Sequence, residues 1–274
     1  MAAVGPLVLF GSGETARQGR QVHEEVLRTL PVPARVAILE TPAGFQPNAH
    51  YVAERLQQFV EHSLQNYRPR VTLIEARRKG GPGDPDDPAI YAPLADATYV
   101  FAGPGSPTYT VRHLAGTRTY AALRERWAAG AGVAFASAAA IALGALTLPV
   151  YEIYKAGADL SWEPGLDLLG EYGLSLAILP HWNNAEGGAH LDTSHCFMGA
   201  ERFARLRDLL PAGITALGID EHTSCIVDVN AGMLRVRGQG GIAVMRGTET
   251  QRHEAGAELP LDALRAAGSC ATRA

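Results

Sequence analysis

The chain has 274 residues, 47% of them hydrophobic and 19% charged, with a formal net charge of −4. That length suits one large α/β domain or two small ones, and the apolar content supplies a sizeable core and excludes a disordered chain. No long basic run exists, so neither nucleic acid nor an anionic membrane is an expected partner.

Pro6 to Phe10 is a short apolar run that stops at Gly11 and has no positive segment before it. It reads as a buried first strand rather than a signal peptide, and a cytoplasmic location follows by default. The turn Gly11-Ser12-Gly13 comes next. The following glycine is Gly19, too late for a dinucleotide fingerprint, and no P-loop is present. Helical spacing over Gln21 to Leu30 puts Val22, Val26, Leu27 and Leu30 on one face. Strands are predicted over Arg35–Leu39 and Arg70–Glu75, with an amphipathic helix over Asn48–Ser63 between them. Gly80 to Pro88 is turn chemistry. A strand over Tyr99–Ala102, a helix over Thr119–Ala129 and a strand over Gly132–Ala136 follow. This alternation predicts a parallel sheet.

From Trp127 to Tyr151 no residue is charged, which is long enough to span a bilayer. The run is mostly alanine and glycine with Ser137, Thr147 and Pro149 inside it, so a strand, a tight turn and a buried helix account for it better. In the last third, Ser175–Leu179 is a strand. Glu201–Leu210 is a helix with Phe203, Leu206 and Leu209 inward. Ile226–Val229 and Met233–Val236 form a hairpin around Asn230-Ala231-Gly232, and Gly241–Met245 is the final strand. The expected organisation is a single α/β domain over residues 1–248 and a charged, alanine-rich, peripheral tail over 249–274. Cys196, Cys225 and Cys270 are too few and too scattered for a disulfide framework, and no CxxC pair marks a structural zinc site.

The segment from Gly132 to Gly144, GVAFASAAAIALG, carries the most chemistry. A buried strand ends in Ser137 and a helix of small residues begins at once, as in a nucleophile elbow. Such a turn lifts the hydroxyl above the sheet, and the helix start offers free N–H groups to a developing oxyanion. The plainer reading is a serine that caps a buried alanine helix.

Other segments join this one. Leu9 to Glu14, the stretch ADATYVFAGPGSPT over 95–108, Ser137 itself, Ile178-Leu-Pro-His181 and Leu217-Gly-Ile-Asp-Glu221-His-Thr occur in that order. Together they resemble the peptidase E / cyanophycinase family of serine peptidases. That resemblance implies a class I glutamine-amidotransferase-like α/β sandwich, here with a C-terminal β-hairpin region. It makes Ser137 the nucleophile and His181 the general base. It also makes the N–H groups of Gly105 and Ala138 the oxyanion hole. An acidic residue between nucleophile and histidine would orient the imidazole. Glu152 fits best, and Asp159 and Asp167 are alternatives.

Pro104 and Ser106 stand where the family's glycine-rich segment has a glycine and an amide residue, and Ala139 stands at the elbow glycine. The arginine cluster of cyanophycinases is replaced by His195-Cys-Phe-Met-Gly-Ala-Glu-Arg202, which argues against cyanophycin as substrate. The polar stretch from His181 to Cys196 leaves the carboxyl end of a strand, where sites form. Ser106, Asn183, Asn184 and Glu186 are assigned to substrate contact. His190, Asp192 and His195 are the residues a metal would use, although their spacing is no known signature. Glu221 reads as an acid that ties loops together, with substrate contact as the alternative. A Cys196–His181 nucleophilic pair lacks an elbow.

The sequence therefore predicts a serine hydrolase cleaving a small peptide or amide through an acyl-enzyme, with no cofactor. A homodimer is compatible with it. Two other classes stay open: a binding member of the fold without catalysis, and a metal-dependent enzyme built on the 181–196 loop.

Overall fold

The computed structural model describes residues 3–265. Cys270 lies outside them. The first half alternates strand and helix: β1 (Leu7–Phe10), α1 (Arg17–Leu27), β2 (Arg35–Leu39), α2 (Ala49–Ser63), β3 (Arg70–Ile74), α3 (Pro88–Tyr91), β4 (Tyr99–Ala102), α4 (Pro107–Leu114), α5 (Arg118–Ala128) and β5 (Gly132–Ala136). The second half runs α6 (Ala138–Ala142), β6 (Leu146–Thr147), α7 (Val150–Tyr154), β7 (Glu163–Pro164), β8 (Leu176–Leu179), α8 (Gly199–Asp208) and β9 (Thr215–Ile219). It ends with β10 (Thr223–Asp228), β11 (Met233–Gly238), β12 (Gly241–Arg246), β13 (Glu249–Glu254) and β14 (Glu258–Pro260).

Two sheets form, not one. The first has eight strands in the order β14-β11-β10-β1-β5-β4-β2-β3, and the second has six in the order β13-β12-β9-β8-β6-β7. The five strands of the first half are mutually parallel, as their alternation with helices predicts. In the second sheet only β6, β8 and β9 are parallel. β10 pairs antiparallel with β1, in register from Leu7↔Val227 to Phe10↔Ser224, so the hairpin extends the first sheet.

Side chains alternate across a strand. Leu7, Leu9, Val133 and Phe135 thus face the inter-sheet core with Ile178, Leu217, Ile219 and Val244. Val8, Phe10, Val36, Ile38 and Phe101 face the opposite way, under Val22 and Val26 of α1 and Leu56 and Val60 of α2. The far face of the second sheet, with Leu179, Ala216 and Met245, is covered by Phe203 and Leu206 of α8 and Ile153 of α7. Each such aliphatic side chain contributes about 1.5–3 kcal/mol on burial. Leu209, expected inward, lies just past α8 and is 53% exposed.

The described part of the predicted tail, residues 249–265, is not peripheral. β13 pairs along the whole of β12, and β14 pairs with β11. Leu259, Leu261 and Leu264 are buried in the inter-sheet core. Charged residues dominate β13 because it is a sheet edge, where charge discourages further strand pairing.

The uncharged run over 127–151 is divided among the end of α5, then β5, α6, β6 and the start of α7. Among the described residues no helix is long and apolar enough to cross a membrane.

Candidate active site

β5 delivers Ser137 to the carboxyl edge of the first sheet. Its backbone has φ 51° and ψ −122°, a conformation L-residues rarely adopt, and the chain enters α6 at the next residue. Holding it there costs about 1–3 kcal/mol, which the surroundings must offset. Ala138, Ala139, Ala140 and Ala142 are all buried. Their small size lets α6 lie in the core between the sheets. The first helical bond of the turn runs from the Ile141 N–H to the Ser137 carbonyl at 3.1 Å, leaving the Ala138 N–H without an intrahelical acceptor.

β8 and β9 are parallel neighbours in register at Leu179↔Gly218, so their carboxyl ends lie side by side. His181 leaves one and Glu221 the other. The His181 N–H donates to the Gly11 carbonyl at 3.0 Å, and the Trp182 N–H donates to the Ile219 carbonyl at 3.0 Å. The first bond ties the loop after β8 to the turn after β1, and the second ties it to the end of β9. That turn needs its first glycine: a Cβ on Gly11 would lie 2.0 Å from the Asp220 carbonyl oxygen.

The side chains then line up. Ser137 Oγ is 3.1 Å from His181 Nε2, and His181 Nδ1 is 2.9 Å from Glu221 Oε1. The hydrogen bond from His181, more than any other influence, holds the Glu221 carboxyl at about 2, well below its ordinary value of 4.5; the amide of Asn184 and the nearby imidazoles act in the same direction. An ionised carboxylate can only accept, so Nδ1 carries the proton and Nε2 is the free acceptor for the serine hydroxyl.

This corrects the assignment of Glu152. Its Oε1 accepts from the Thr108 hydroxyl, and its Oε2 is buried without a partner, so it makes no bond to His181. Asp159 and Asp167 are exposed and make none either. The carboxylate bonded to His181 Nδ1 follows the histidine in the chain rather than preceding it. The Gly218-Ile-Asp-Glu221 segment carries the sequence signal for this carboxylate, whereas the order of residues along the chain does not.

The substrate assignments divide. Asn184 Nδ2 donates to Glu221 Oε1 at 2.9 Å, and Asn183 Oδ1 accepts from the Glu221 N–H at 2.8 Å. Both asparagines hold the acid instead of facing the cavity. Ser106 caps α4, its Oγ accepting from the Tyr109 N–H at 3.2 Å and lying 3.1 Å from the Thr108 hydroxyl. Glu186 alone of the four borders the cavity.

That cavity, of about 200 Å³, opens over Ser137 and is also bordered by Gly105, Ala138 and His181. Gly105 has φ +155°, and a Cβ on it would lie 1.7 Å from the Pro42 carbonyl oxygen. Only glycine fits there, and its N–H has no backbone partner. Pro104, the residue before it, is exposed.

The loop after His181 is satisfied by its own contacts. Asp192 accepts from the Ser194 hydroxyl and from the Ala200 and Ser194 N–H groups, and these bonds, the hydroxyl's foremost, hold its carboxyl at about 2. His195 packs on Trp182 and stacks on Phe203, with ring centroids 4.2 Å and 5.0 Å away. Among the described residues no group of three or more histidine, cysteine, aspartate or glutamate side chains is arranged to hold a metal ion. Cys196 is buried, and desolvation pushes its thiol up to about 12, which leaves it without thiolate character.

No protein-family profile matches the chain, and no curated protein matches it. Solved structures do. One is a peptidase from an acI-B1 Actinobacterium, with a TM-score of 0.74 and 19% identity over 94% of this chain and 97% of that one. Another is a Listeria monocytogenes EGD-e protein provisionally named a peptidase E, with a TM-score of 0.56 and 14% identity over 92% of this chain and 99% of that one. The chain thus has the peptidase E-like α/β fold, as its motifs predict.

Proposed function

We propose that this protein is a serine hydrolase that cleaves a small peptide or amide through an acyl-enzyme. The observation that carries the reading is the hydrogen-bonded series Ser137–His181–Glu221, with Ser137 on a strained turn between strand and helix. His181 Nε2 takes the hydroxyl proton as Ser137 Oγ attacks the carbonyl carbon, and Glu221 stabilises the imidazolium that forms. The N–H groups of Gly105 and Ala138 border the same cavity and suit the oxyanion. The imidazolium gives its proton to the leaving amine. Water, deprotonated by His181, then releases the acyl group and regenerates the serine. The peptidase names of the structural neighbours support amide chemistry on this fold.

The test is labelling with a serine-directed fluorophosphonate followed by mass spectrometry. Ser137 should carry the adduct and Ser137→Ala should not react. Absence of labelling at Ser137 in folded protein, together with no Ser137-dependent amide hydrolysis, would favour a non-catalytic binding member of the fold.

A further inference from the structure

The cavity at Ser137 is walled by apolar side chains. Ile141 comes from α6, Val150 and Tyr154 from α7, and Cys196 and Phe197 from the loop after His181. Ile141, Val150 and Cys196 are almost wholly buried. The lysine and the carboxylate that border it, Lys155 and Glu186, are both exposed and lie at its rim. Lys155 is held there, its Nζ 4.8 Å from the centroid of the Tyr154 ring. Cys196 keeps its proton, so it presents a neutral wall.

Backbone strain sets two of these walls. His195, Cys196 and Phe197 have φ of 56°, 59° and 68°, three consecutive non-glycine residues in the left-handed region. The turn is fastened by the His195 N–H to the Trp182 carbonyl at 2.8 Å and the Cys196 N–H to the His181 carbonyl at 3.2 Å. It places Phe197 against the catalytic imidazole, ring centroids 5.4 Å apart, and against Tyr154 at 5.6 Å. A charged substrate side chain in this cavity would be desolvated with no opposite charge inside to meet it.

We infer that this cavity is an acyl-side specificity pocket for an uncharged aliphatic side chain such as leucine or methionine, with Phe197 and Cys196 as its specificity-determining wall. The inference rests on the serine-hydrolase reading above. The acyl group is the part that stays through both half-reactions, so the apolar cavity beside Ser137 is its place.

The experiment measures kcat/KM on aminomethylcoumarin amides of leucine, methionine, alanine, aspartate and lysine. In parallel it measures the rate at which Ser137 is labelled by aryl phosphonates carrying the same side chains. Leucine and methionine should exceed alanine about ten- to a hundredfold, the difference expected from burying one aliphatic side chain. Aspartate and lysine should fall below alanine. Phe197→Arg should shift the preference toward aspartate. Should that variant fail to fold, Tyr154→Arg in the opposite wall asks the same question. Ser137-dependent reaction that is indifferent to the side chain, or favours a charged one, would overturn the inference and leave the hydrolase reading standing. Failure of Ser137 to react with every probe, including a small fluorophosphonate, would overturn that reading and the pocket assignment with it.

Discussion

His181 and Glu221 leave the carboxyl ends of two adjacent parallel strands and meet through an Nδ1–Oε1 hydrogen bond of 2.9 Å. Forty residues of chain separate them, including α8. Their meeting depends on the β8–β9 register and on Asn183 and Asn184, which hold Glu221 in place.

From this pair follows a contrast between two carboxylates. Glu221→Gln should lower kcat/KM by about 10³–10⁴-fold, because the amide no longer fixes the tautomer that leaves Nε2 free. Glu152→Gln should leave activity close to wild type, since that group bonds Thr108 and not the imidazole. Steady-state kinetics of the two variants beside wild type decide it. The reverse ranking would restore Glu152 as the acid.

A pH-dependence of stability accompanies the same bond. The folded-state value of Glu221, about 2, lies below its ordinary value of 4.5, so folding favours the ionised form. The stabilisation is complete above about pH 4.5 and is lost as pH falls toward 2. Melting temperatures of wild type and Glu221→Gln should therefore differ most near neutral pH and converge only as pH falls to about 2. A gap that is constant with pH would mean that the carboxylate is not held by its partners.

Gly105 offers a steric test. Gly105→Ala would drive a methyl group onto the Pro42 carbonyl, 1.7 Å from its oxygen, at a φ that favours glycine. Stability should fall by about 1–3 kcal/mol, as for other forced overpacking. Displacing the N–H should also cost about 10²–10³-fold in kcat, as for loss of one oxyanion donor. Gly81→Ala, whose added Cβ would come no nearer than 3.9 Å to a flexible arginine side chain, is the neutral control. Equal effects at the two positions would remove the special role of Gly105.

The edge strand β13 makes a further prediction. Arg252 pairs with the Asp220 carboxylate, whose side chain is 2% exposed and sits next to Glu221 in the chain. Asp220 also accepts from the Gly241 N–H at 2.9 Å. Arg252→Ala removes the only cation that pairs with this buried carboxylate among the described residues. It should destabilise the protein by about 1–3 kcal/mol in urea denaturation. Arg252→Lys should recover part of the loss, because an ammonium supplies the charge without the fork geometry. No change on Arg252→Ala would mean that solvent satisfies Asp220 equally well.

Much of this protein is legible locally. The short continuous apolar runs Leu7–Phe10 and Gly132–Ala136 name strands buried on both faces, and the helical period in α1 and α2 names those helices by the face each buries. The strand-to-helix junction at Ser137 is legible as well, from an apolar run that passes straight into small residues; the strained backbone that separates an elbow from a simple helix cap is seen only in the structure. His181 was placed by the motif it ends. The acid, the second sheet and the tail were not legible, because each depends on long-range pairing. β13 is charged and exposed, so it carries no burial pattern, and only the free edge of β12 makes it a strand. Asn183, Asn184 and Ser106 have the chemistry to bind substrate, but the fold aims them at Glu221 and at the cap of α4. The sequence by itself determined which residues could react. Tertiary structure decided which of them meet, since a hydrogen bond forms only where the register of two strands brings donor and acceptor within about 3 Å.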